Sequence, residues 1–77
     1  MSISQEDLDA LILSCVKPWG TKVAAVIGHV DMTLKARALS RVPFDDTVGR
    51  VKALIEAGRL RSEGDVDEWG ASEVYLP

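Results

Sequence analysis

The chain has 77 residues and a mass of 8.4 kDa, which is enough for one small domain spanning residues 1–77. Its apolar fraction of 47% and charged fraction of 27% belong to a chain that folds rather than one that stays disordered. Met1 to Leu8 carries Glu6 and Asp7 where an export signal needs bases and then a long apolar stretch, and the longest apolar run, Val23 to Ile27, falls far short of the roughly 18 residues of a membrane span. One cysteine, Cys15, excludes an internal disulfide and a cysteine-based metal knuckle, so the expectation is a cytoplasmic protein with no resident metal or cofactor.

Charge is distributed unevenly along the chain. Residues 1–14 carry Glu6, Asp7 and Asp9 and no base. Residues 15–62 hold all nine Lys and Arg against four acids, and residues 63–77 are acidic throughout, for a net charge of -3. A basic middle lies between acidic ends.

Ser4 is an N-cap residue type, followed by Gln5, Glu6 and Asp7, whose charges suit a helix N-terminus. Leu8, Leu11, Ile12 and Cys15 or Val16 recur at helical spacing, which predicts a helix over 5–16 that stops at Lys17-Pro18-Trp19-Gly20. Thr21 is placed to cap a second helix with Val23, Val26, Ile27 and Val30 on one face. From Met32 to Ala38 apolar residues alternate with Thr33, Lys35 and Arg37, so periodicity alone leaves this stretch between helix and strand. Pro43-Phe44-Asp45-Asp46 is a start signal, with an Asp as N-cap and Phe44 as a hydrophobic staple. Val48, Val51, Leu54 and Ile55 then line one face of a third helix that ends at Gly58. Leu60 to Gly64 and Ser72 to Leu76, with a mostly polar loop between them, read as a hairpin. The expected fold is α+β, a small winged-helix-like domain of three helices followed by a two-stranded β-hairpin wing.

Three runs carry a family resemblance: Trp19 to Gly28, Arg50 to Leu60, and the pair Glu63-Gly64-Asp65 with Glu73-Val74-Tyr75-Leu76. Over about residues 19–77 the chain resembles the bacterial domain of unknown function 3658 family. The resemblance implies a winged-helix-like layout, often as the C-terminal part of a longer protein, and no activity. It also implies an Asp upstream of an Arg on the third helix, for which Asp46 and Arg50 are the nearest match.

Catalytic signals are thin. Cys15 and His29 are a nucleophile and a base by type, but a lone Cys on an apolar helical stripe reads as a small buried hydrophobe. His29 with Asp31 falls short of a metal ligand set, and a solvent-facing His is the plainer reading. Asp65 to Gly70 opens like a calcium loop yet offers Trp69 and Leu76 where oxygen ligands are required. No small-molecule substrate is evident.

Two non-enzymatic readings remain. Arg50, Lys52, Arg59 and Arg61 on the third helix and hairpin could meet DNA phosphates. Against that, the helix turns Gly49, Ala53, Ala57 and Glu56 outward where base-reading side chains are wanted, and the wing turn carries Asp65, Asp67 and Glu68. The small residues Gly49, Ala53 and Ala57 instead let another backbone approach, either the chain's own first helix or a protein partner or second copy. Trp19 and Trp69 stand at turns, as lids on the core edge or as partner anchors, and Asp46 with Arg50 forms an i,i+4 pair by spacing. The expected function is protein interaction or dimerisation, with DNA binding as the alternative.

Overall fold

The computed structural model describes residues 1–77 and contains three helices and a three-stranded antiparallel sheet, an α+β arrangement. Helix α1 spans Gln5–Cys15. Ser4 caps it, its hydroxyl accepting from the Asp7 amide at 3.1 Å, and Glu6 and Asp7 occupy the first turn. Leu8, Leu11 and Ile12 point inward. Val16 is the C-cap, buried and extended, and the Lys17 to Gly20 turn follows with Gly20 at φ +109°.

That turn sets up an element the sequence does not announce. Thr21 does not cap the second helix; with Lys22 it forms strand β1 (Thr21–Lys22), and its hydroxyl accepts from the Lys17 amide at 3.0 Å. Helix α2 (Val23–Ala36) therefore begins without a side-chain cap. Its first amides donate instead to carbonyls of the distant 64–72 loop, Val23 to Ser72 and Ala24 to Trp69, both at 3.1 Å. The ambiguous stretch after Met32 is helical to Ala36. Leu34 continues the buried stripe of Val23, Val26, Ile27 and Val30, because a spacing of four keeps it on the core side.

Helix α3 (Phe44–Glu56) starts from Pro43, not from an Asp. Asp45 and Asp46 lie inside the first turn, where they favour the helix dipole without capping, and Phe44 is the first helical residue rather than a staple. Thr47, Val48, Val51 and Leu54 form its buried face.

Strands β2 (Arg61–Glu63) and β3 (Glu73–Tyr75) make the expected hairpin, but the sheet has a third strand. Its order is β1-β3-β2, with Thr21 opposite Val74, and Ser62 opposite Val74 on the other side. Val74, in the central strand, is fully buried. The helices pack pairwise, and one core joins Ile12, Val26, Val51, Leu60 and Val74 across helices and sheet. No helix is long and apolar enough to cross a membrane.

Candidate functional site

The outward side of α3 is where the sequence-based expectations converge. Gly49 and Ala57 are exposed and Ala53 is half-buried, so α1 does not cover this stripe. A β-carbon built at Gly49 meets no atom within 4 Å, which leaves open space over the first half of the helix.

The cations beside the stripe are committed elsewhere. Arg50 reaches α1 and grips Asp9 with two parallel bonds, Nε to Oδ1 and Nη2 to Oδ2, each 2.9 Å. Fork-to-carboxylate pairing is the strongest geometry available to arginine. Asp46, four residues upstream, is not the partner that its spacing suggests, since the Nε–Nη2 edge of the guanidinium is held by the Asp9 carboxylate, which is largely withdrawn from water. The bond to Asp9 pushes the Arg50 guanidinium pKa up, against a smaller opposing effect of burial. Lys52 points to the loop between β2 and β3, where its Nζ lies 2.8 Å from Asp67 Oδ1. The hydrogen bond to Asp67 raises the Lys52 pKa. Of the four candidate phosphate contacts, Arg59 and Arg61 alone have no carboxylate partner, and Arg61 lies 6.0 Å from the Tyr75 ring centroid.

Trp69 sits apart from the small stripe. It is half-buried, packs edge-on against Phe44 with ring centroids 5.8 Å apart, and lends its carbonyl to α2. Phe44 also receives the Arg41 guanidinium 4.9 Å from its ring centroid. Trp19 does not lid the core; it is 80% exposed, because the turn at Gly20 carries it past the end of α1.

An open cleft of about 460 Å³ lies where the stripe meets the start of α1. Ile3, Leu8, Val42 and Gly49 supply its apolar walls, and Asp45, Asp46, Gln5 and Arg50 its polar rim. Ile3 and Val42 escape sequence reading because they lie just outside the helices. The available signal was Ile3 before the Ser4 cap and Leu8 four residues after it, the positions of a hydrophobic staple.

Cys15 and His29 are not joined. The Cys15 thiol donates to the Ile12 carbonyl at 3.1 Å, and burial raises its pKa, while His29 stands exposed on α2. Asp31 faces Lys35 and Arg41 at 3.8 and 3.7 Å. No group of three or more His, Cys, Asp or Glu side chains is gathered closely enough to hold a metal ion. No protein-family model, curated protein or solved structure matches this chain.

Proposed function

We propose that this chain is a winged-helix-like, non-catalytic interaction module of the cytoplasm that binds another protein chain through the outward face of α3. One observation carries the reading: Gly49 and Ala57 are exposed on either side of the half-buried Ala53 while the adjacent Arg50 and Lys52 are spent on Asp9 and Asp67. A helix face whose flanking cations are already paired favours close apposition of another chain over phosphate contact. The resemblance to the domain of unknown function 3658 family is in keeping with this layout and adds no activity to it.

DNA binding is the competing reading, and the unpaired Arg59 and Arg61 favour it. The wing works against it, because Asp65, Glu68 and Glu73 would face the phosphates with no paired cation. An amide-shift titration with random duplex DNA at low and moderate salt separates the two. The interaction reading expects no salt-sensitive shifts at Arg50, Lys52, Arg59 or Arg61. Such shifts, lost in Arg59→Glu/Arg61→Glu with the fold intact, would overturn it in favour of DNA.

A further inference from the structure

The cleft between the starts of α1 and α3 has a chemical character that specifies an occupant. Its walls are the apolar side chains of Ile3, Leu8 and Val42, with the space above Gly49 left open. Its volume of about 460 Å³ falls in the range of roughly 300–1,000 Å³ typical of ligand clefts.

At its rim stand Asp45 and Asp46 on α3, both exposed and neither with a cationic partner. The one base in the lining, Arg50, is neutralised by Asp9. Two helix N-termini contribute about half a positive charge each. The two carboxylates outweigh them, so the rim is anionic.

We infer that this cleft receives a cationic amphipathic segment of a protein partner, whose apolar side chains lie on Ile3, Leu8 and Val42 while its lysines or arginines reach the Asp45 and Asp46 carboxylates. The inference rests on the interaction reading and supplies the chemistry of the partner. Long-stemmed cations suit such a place, because the aliphatic stem covers apolar surface and the charged head stays at the wet rim. The acidic wing has carboxylates too, but Lys52 already answers Asp67.

The test titrates the whole isotope-labelled chain with a helical peptide carrying one leucine face and one lysine face. A leucine and glutamate counterpart, and a lysine peptide with the pattern scrambled, serve as controls. The expected result is shifts centred on Ile3, Leu8, Val42 and Gly49 with the first peptide only. Asp45→Asn/Asp46→Asn should weaken that binding by about tenfold, the sum of two exposed charge pairs. Gly49→Leu, placed where the helix has open space, should block it without loss of fold.

Equal shifts across Glu63 to Glu73, equal binding of the scrambled peptide, or indifference to both variants would overturn the inference. Concentration-dependent shifts of the cleft amides in the free chain would overturn it as well, by placing a second copy there. Those failures leave the duplex titration silent, whereas failure of the interaction reading shows itself there as shifts at Arg59 and Arg61.

Discussion

At the scale of single residues, Arg50 shows how a charge on a candidate recognition helix becomes internal structure. Its two bonds to Asp9 tie α3 to α1, whereas Asp46 lies within helical spacing and is left free. Asp9→Asn should therefore lower the urea midpoint more than Asp46→Asn, because only the first substitution breaks a bidentate pair. Equal midpoints would show that the pair adds nothing to the fold.

Cys15 makes a second, pH-dependent case. Burial raises its thiol pKa, so the unfolded chain releases this proton first as pH rises. The stabilising contribution is whole below the ordinary thiol value of about 8.5 and falls as pH climbs from there through the folded value. Alkylation by iodoacetamide near that pH should be slower in the folded protein than in urea. Equal rates would mean that the thiol is open to solvent.

At the scale of elements, α2 and α3 end in the same way on different residues. After α2, Leu39 donates to Leu34 and Ala38 to Lys35. After α3, Arg59 donates to Leu54 and Gly58 to Ile55. Both are Schellman closures, which need a left-handed residue just past the C-cap. Gly58 takes φ +76° freely, while Ala38 is held at +53°. Ala38→Gly should stabilise the domain by about 1 kcal/mol, and Gly58→Ala should destabilise it by about as much even though its β-carbon would meet no atom within 4 Å. Thermal melts of the two variants that shift in the same direction would contradict the assignment.

The same elements explain what could be read in advance. Leu8, Leu11 and Ile12, and Val48, Val51 and Leu54, repeat at helical spacing, and such local patterns survive into the fold. Strand β1 had no such signal. Two residues make no period, and Thr21 and Lys22 are extended only because β3 lies beside them. The open face of α3 was visible as Gly49, Ala53 and Ala57, but the Asp9 and Arg50 pair spans 41 positions and arises only when α1 and α3 pack. The cleft depends on the same packing, which brings Ile3 and Val42 together with Leu8 and Gly49.

At the scale of the whole molecule, the helical layer and the sheet have no independent cores. The accessible surface is 4685 Å², against about 12,200 Å² for an unfolded chain of this mass, so about 60% is buried. The radius of gyration of 11.5 Å is the compact value for this length. Within that small core the loop between β2 and β3 caps α2 through Ser72 and Trp69, and Val74 joins the sheet to the helices.

A lesion in the sheet must therefore be felt in the helices. Val74→Ala removes two methyl groups from a fully buried site and should cost about 2 kcal/mol. That is a large share of a total stability of about 4–12 kcal/mol for a domain of this size. In urea, the methyl signals of Ile12 on α1 and Leu60 before β2 should vanish at one shared midpoint, lowered equally by the substitution. If Leu60 were lost earlier and Ile12 stayed at its original midpoint, the hairpin would be a separately melting unit. The carbonyl caps on α2 would then contribute nothing to the helices they touch.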